Sequence, residues 1–337
     1  EPGIANQDCL ACHDTPGMRM DLPSGEVLFV TVDSVTYTTS SHGRAGYACV
    51  QCHTEITEYP HPPLTATTRR DLIVQLNASC ERCHADKFEE TADNVHQDAR
   101  DAGNPEAAVC TDCHGAHNTG SPTVPRSRIP QTCERCHSQI YSLYEHSVHG
   151  EALIGEGNPD VPTCVDCHGS HALEGPSGGP FRLFSPQICL DCHADEEMMS
   201  RYGLSAEVGE TYLSDFHGTT VHLFEQLTPD QETNKPVCID CHGTHDIRAT
   251  DDPESRVIKE NLLTTCQRCH PDATTNFPAS WLSHYKPTPE RFPLVYFVNL
   301  FYIVFIPGVL GVMTIYVISD IYRRYKDRRA EGGDQHD

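Results

Sequence analysis

Hydrophobic positions are distributed very unevenly along this chain. From Leu294 to Ser319 runs an uncharged stretch of 26 residues rich in Val, Ile, Leu, Phe and Tyr. At about 1.5 Å per residue, such a helix exceeds the roughly 30 Å hydrocarbon core of a bilayer. The pattern predicts a transmembrane helix over 292–319, kinked at Pro307-Gly308. Elsewhere regular structure looks sparse. Val27 to Thr39 is β-prone and predicts a hairpin leading to His42, whereas the stretches before His149 and from Glu196 to Tyr202 predict short helices. With 24 Pro and 23 Gly, most of the remainder reads as turns and loops.

Composition changes this picture. Hydrophobic residues make up only 38% of the chain, membrane stretch included, which leaves little for a protein-only core. The 18 cysteines supply the explanation, because they form nine Cys-x-x-Cys pairs, each followed at once by His. These are Cys9/Cys12/His13, Cys49/Cys52/His53, Cys80/Cys83/His84, Cys110/Cys113/His114, Cys133/Cys136/His137, Cys164/Cys167/His168, Cys189/Cys192/His193, Cys238/Cys241/His242 and Cys266/Cys269/His270. This is the attachment signature of haem c. The two thiols bind the macrocycle edge, and the adjacent imidazole reaches the iron. Disulfides and Cys/His zinc sites also use Cys-x-x-Cys, but neither requires a histidine immediately after every pair. The expected cofactors are nine haem c groups with their iron. The expected fold is a multihaem cytochrome c: short α-helices and loops around stacked haems, little regular secondary structure, and one C-terminal transmembrane helix.

The motifs alternate in their surroundings. Cys110 to His117, Cys164 to His171 and Cys238 to His245 share the form Cys-x-Asp-Cys-His-Gly-x-His, and each is followed by a plain motif. The pair starting at Cys49 and Cys80 fits the plan with His61 in the trailing place. A histidine also leads each module: His42, His149 and His217 stand five residues after a Tyr and just before a Gly, and His96 holds that place without either. The repeat is therefore His, motif, His, motif. It divides the chain into a leading monohaem segment (1–35), four two-haem modules (36–90, 91–140, 141–200 and 201–275), a juxtamembrane linker (276–291), the membrane helix (292–319) and a tail (320–337).

Twelve histidines lie outside the motifs: 42, 61, 96, 117, 146, 149, 171, 217, 222, 245, 284 and 336. The repeat selects His42, His96, His149 and His217 as leading ligands and His61, His117, His171 and His245 as trailing ones; His284, before the membrane, makes nine. Nine motifs and nine candidates match all-bis-histidine coordination. Which His serves which iron is open from sequence, with His146 and His222 as alternatives to His149 and His217, and Met18 or Met20 as an alternative at the first haem. A haem with two strong protein ligands passes electrons, whereas one with an open position can transform a substrate.

Residues 1–291 carry 19 Lys plus Arg against 43 Asp plus Glu. So acidic a region is a poor match for nucleic acid or anionic lipid and a natural one for a basic redox partner, although acidity also simply keeps a small-core protein soluble. Arg323, Arg324, Lys326, Arg328 and Arg329 follow the apolar run. The positive-inside rule then puts the C-terminus in the cytoplasm and the haem region in the periplasm, or otherwise outside the cytoplasm, on a single-pass cell-membrane anchor. Haem c attachment after export agrees with this orientation, and a chain beginning at Glu1 is what removal of an export signal would leave. His284 is eight residues from Phe292, so the haem it serves is expected within roughly 28 Å of the membrane surface.

The Cys-x-x-Cys-His-Gly-x-His motifs, Ser147-Val-His-Gly150 and the alternating modules make residues 1–284 resemble the class III and c554-like multihaem cytochromes. That resemblance implies bis-histidine haems stacked in alternating parallel and perpendicular pairs. The stretch from Tyr285 through Arg324 resembles membrane-bound members that work with an integral cytochrome b-type or quinol-oxidising subunit. The tetrahaem quinol dehydrogenases are anchored at the N-terminus and this chain at the C-terminus, which argues against direct quinol oxidation by this chain. The span contains no His to hold a b-type haem and no acidic residue for a proton relay. The leading expectation is an electron-transfer subunit of a respiratory or photosynthetic complex, without an active site of its own, linking a membrane partner to a soluble or extracellular one. The alternative is a multihaem oxidoreductase acting on a small nitrogen or sulfur compound at an incompletely ligated haem.

Overall fold

The computed structural model describes residues 4–92, 94–121, 123–173, 179–227, 235–279, 281 and 283–333. Short helices and loops dominate. The one sheet among these residues is a two-stranded hairpin in which Arg19–Asp21 pairs antiparallel with Val27–Phe29. Its return is made by Gly25 at φ +84°, a conformation that glycine adopts without steric cost.

The β-prone stretch Val27–Thr39 is a strand only as far as Phe29; Ser34–Thr39 is a helix instead. The reason is local. Asp33 caps that helix by accepting from the Thr36 N–H at 2.6 Å, and the Thr38 and Thr39 hydroxyls donate back to the Ser34 and Val35 carbonyls. These bonds outweigh the weak strand preference of Val, Thr and Tyr. Helices do form before His149, at Ser138–Glu145, and at Glu196–Arg201.

The two motif types occupy opposite ends of helices. The first motif of each module opens one: Cys49–Cys52, Cys110–His114, Cys164–His168 and Cys238–His242. The second lies at the C-terminal end of one: Arg69–Glu81, Arg128–Glu134, Gly179–His193 and Leu262–Gln267. The Asp of Cys-x-Asp-Cys explains the first placement. Asp112, Asp166 and Asp240 accept from the backbone N–H of Val109, Thr163 and Val237 at 2.7, 2.6 and 2.7 Å, satisfying a donor that a helix start leaves free.

The core made by the chain's own side chains is small. Leu183, Val221 and Val237 form its buried cluster, with Phe224 and Ile239 packed against it. The chain exposes 22832 Å², against roughly 14,000 Å² for a compact chain of this mass. Part of the excess is the C-terminal helix Pro293–Gly333, which runs on through Pro307. Within it, Pro293–Lys326 contains an 18-residue stretch of mean hydropathy 2.2, none of it buried, and is long and apolar enough to cross a membrane.

Candidate functional site

Each leading histidine sits in a capped turn. Two residues before it, Ser40, Asn94, Ser147 or Asp215 accepts from the backbone just ahead: from Gly43 N–H at 3.0 Å, His96 N–H at 2.7 Å, Gly150 N–H at 3.1 Å and His217 N–H at 2.7 Å. The glycine after the leading histidine is a packing requirement. A Cβ at Gly43, Gly150 or Gly218 would fall 1.9, 1.9 or 2.0 Å from the carbonyl oxygen of Tyr37, Tyr144 or Tyr212. Those tyrosines complete the turn, donating to the carbonyls of Tyr47, Pro162 and Pro236 at 2.5, 2.7 and 3.0 Å. Each acceptor lies two residues before the next attachment motif, so the tyrosine ties the histidine turn to the following haem segment.

The trailing histidines are reached differently. Gly115, Gly169 and Gly243 take φ of +72°, +78° and +88°, turning the chain sharply out of the motif helix toward His117, His171 and His245. Two residues further on, the carbonyls of Thr119, Leu173 and Ile247 accept from Ser41, Val95 and Val148 N–H at 2.8, 3.1 and 2.9 Å. Each donor immediately precedes a leading histidine of the preceding module. The modules are laced to one another.

This lacing brings every motif histidine opposite one of the nine others. His13 faces His61, His53 faces His117, His84 faces His42, His114 faces His171, and His137 faces His96. His168 faces His245, His193 faces His149, His242 faces His284, and His270 faces His217. Ring centres are separated by 6.0 Å at His13–His61 and by no more than the 6.3 Å of His149–His193. Leading histidines thus meet the second motif of their own module, while trailing ones meet the first motif of the module before; His61 meets the monohaem segment and His284 meets Cys238–His242. The ring opposite His13 belongs to His61, and Met20 lies in the hairpin opposite Leu28. His146 and His222 are exposed, bonded to the Ser142 carbonyl and to Glu225 and Gln226; His336 lies outside the described residues.

The spacing fits a metal held between two imidazoles. Metal–nitrogen bonds of about 2 Å, with each ring centre about 1.1 Å behind its nitrogen, require about 6.2 Å between centres. No group of three or more His, Cys, Asp or Glu converges on a metal position among the described residues, so a protein-only zinc cage does not describe these sites. A metal held by two imidazole nitrogens would take its remaining donors from a macrocycle. Burial, the first cause in each case, pushes His96, His114, His117, His193, His245 and His284 below the ordinary imidazole range, and His149 and His242 down to about 4. The neutral ring thereby favoured is the metal-binding form. At the first site His13 Nδ1 lies 2.7 Å from the Val30 carbonyl, an orientation that leaves Nε2 for a metal.

The attachment cysteines are not equivalent in their surroundings. The first of each motif is half-buried, whereas the second is exposed at Cys12, Cys52, Cys83, Cys113, Cys136, Cys167 and Cys269. Cys12 has the exposed Tyr59 hydroxyl within hydrogen-bond reach, and Cys269 is close enough to Cys241 and Arg182 for electrostatic interaction. Neither is enclosed by protein; both keep the motif spacing that lets a thiol reach a macrocycle edge from outside.

Successive motifs are also neighbours in space. Cys9 and Cys49, Cys80 and Cys110, Cys133 and Cys164, and Cys189 and Cys238 lie within hydrogen-bond reach of each other. The intervening junctions run from Cys52 to Cys83, Cys113 to Cys133, Cys167 to Cys189 and Cys241 to Cys266, each close enough for electrostatic interaction. Every consecutive pair from the first motif to the ninth is therefore adjacent, through two alternating kinds of junction.

One set of supporting residues escapes a reading of the sequence by motif. Arg70, Arg126 and Arg182 donate to Asp112, Asp166 and Asp240 at 2.8, 2.9 and 2.8 Å. The same guanidiniums bond the loop carbonyls of Pro105, Val161 and Lys235, fastening each motif helix and its approach. Their equal spacing of 56 residues was the available signal.

Residues 66–138, which hold the motifs at Cys80, Cys110 and Cys133, match the family described as cytochrome c7 and related cytochrome c. No curated protein matches the chain significantly. The match supports a multihaem c-type cytochrome and electron transfer, with a cytochrome c7-like domain at residues 66–138, in a chain of mostly helices and loops that ends in one long apolar helix.

Proposed function

We propose that this chain carries nine haem c groups, each held by the two cysteines of its motif and by the facing pair of histidines, and conducts electrons along them in sequence order from Cys9 to Cys266. The observation that carries this reading is the set of nine imidazole pairs at metal-bridging separation. When bound, the haems supply one-electron iron redox chemistry. The chain's own residues do the rest. The cysteines would hold each macrocycle and the facing histidines its iron, while the Arg–Asp and Tyr–carbonyl ties hold neighbouring attachment segments at fixed separation.

The apolar helix anchors this conductor in the cell membrane, with the haem region periplasmic or extracytoplasmic and the basic tail in the cytoplasm. Its partners are an integral membrane quinol-oxidising or cytochrome b-type subunit and a soluble or extracellular redox protein with a basic docking face. The two-haem modules act as conducting segments. The alternative, catalysis on a small nitrogen or sulfur compound, needs an iron with a free position, and the nine pairs leave every motif histidine with a facing ring.

Purified full-length protein is expected to carry nine haems per chain by iron and pyridine haemochrome assay, to be wholly low-spin by EPR, and to bind no CO when reduced. Fewer haems or a native high-spin signal would contradict the reading. Substituting Cys133 and Cys136 by Ser is expected to interrupt the path and abolish electron passage between a membrane donor and a soluble acceptor while sparing the other haems.

A further inference from the structure

His284 is held unlike the trailing histidines of the Gly-x-His motifs. His117, His171 and His245 each follow a positive-φ glycine and are locked by a backbone hydrogen bond to the residue two positions beyond. Before His284 stands Ser283 at φ +58°, in a region disfavoured for residues bearing a Cβ. Two positions beyond it, where the others have an accepting carbonyl, Lys286 instead extends its ammonium to Glu207 Oε1 at 2.9 Å and Glu210 Oε2 at 2.6 Å. These carboxylates flank the start of helix Val208–Ser214, which leads into Asp215 and His217. His284 is also close enough to Asp215 for electrostatic interaction, while among the described residues the other contacts of 285–292 are local, such as Arg291 stacked 3.4 Å over Tyr285 and bonded to Thr288. Among the described residues, the ion pairs that fasten this strap to the haem region are those of Lys286.

We infer that Lys286 is a positioning residue that keeps His284 opposite His242, and that this ligand is released more easily than His117, His171 or His245. The inference rests on the proposed ligation of the eighth haem by His242 and His284. All three charged groups are exposed, so the bridge is screened by salt, unlike the backbone bonds that hold the loops of His117, His171 and His245. The same strap continues directly into the helix Pro293–Gly333. A load on the anchor, such as a docking membrane subunit, therefore reaches the sixth ligand of the haem next to the end of the path.

The test is the CO difference spectrum of reduced full-length holoprotein in detergent. His284→Ala sets the reference, an amplitude of one haem in nine. Lys286→Glu, which places a third carboxylate beside Glu207 and Glu210, is expected to approach that amplitude, and Lys286→Arg to stay at the wild-type baseline. In wild-type protein, raising salt from about 0.1 M to about 1 M shrinks the screening length from about 10 Å to about 3 Å and is expected to raise CO binding toward one haem in nine. Lys286→Glu at baseline, Lys286→Arg behaving like Lys286→Glu, or a salt-independent wild type would each overturn the role of Lys286. His284→Ala without any gain would instead overturn the His242–His284 pairing itself.

Discussion

The second and third modules hold their leading histidines by different means. In the third, His149 occupies a turn closed by Ser147 and Gly150, and Tyr144 ties that turn to Pro162, ahead of the module's own first motif. In the second, Thr91 and Gln97 stand where the tyrosine and glycine would be. There the buried Asn94 does both jobs: it accepts from His96 N–H at 2.7 Å and donates to the His171 carbonyl at 2.5 Å. What both modules require is a leading histidine fastened at once to its own turn and to a neighbouring haem segment. The difference lies in direction, because the tie in the third stays within the module and the tie in the second reaches into the next.

Several substitutions break this comparison at graded cost. Gly150→Ala is expected to act most strongly, since its Cβ would meet the Tyr144 carbonyl at 1.9 Å; a loss of about 3 kcal/mol is expected. Gln97→Ala, at the equivalent place, should cost under about 1 kcal/mol, and thermal midpoints of the two holoproteins measure the contrast. Asn94→Ala removes two hydrogen bonds from a buried site and is expected to cost about 2 kcal/mol. Because its bonds span two modules, it should also raise the high-spin EPR signal at the fourth and fifth haems, the sites of His171 and His96. Tyr144→Phe loses a single bond to Pro162 and is expected to cost about 1 kcal/mol, with low-spin spectra retained. Equal destabilisation by Asn94→Ala and Tyr144→Phe would dissolve the distinction between the modules.

Much of the architecture was legible in the sequence because covalent cofactor attachment imposes strict spacing. Nine motifs, the alternation of Gly-x-His and plain forms, and a 26-residue uncharged run are local patterns that survive without any knowledge of the fold. The partner of each histidine was not legible, because it is set by lacing between modules. His171 sits three residues after its own motif histidine yet faces His114, a whole module away. The helix at Ser34–Thr39 was missed because β-branched residues there favour a strand, while a single cap, Asp33, decides the outcome. Arg70, Arg126 and Arg182 read as ordinary charges until their shared partners, the capping aspartates, are seen.

The acidic haem region and the apolar anchor solve their packing in opposite ways. The first buries few of its own side chains, since the macrocycles it attaches are its natural packing partners; the second buries none of its most apolar stretch, since lipid would be its partner. His284 and Lys286 lie where these two regimes meet.

A cryo-EM or crystal structure of the full-length holoprotein, at a resolution that identifies axial ligands, tests the central claim most directly. The account expects His171 on the iron attached at Cys110 and Cys113, His245 on that at Cys164 and Cys167, and nine bis-histidine haems adjacent in sequence order. A trailing histidine bound to the haem of its own module, or any iron whose sixth ligand is not the facing histidine, would contradict it.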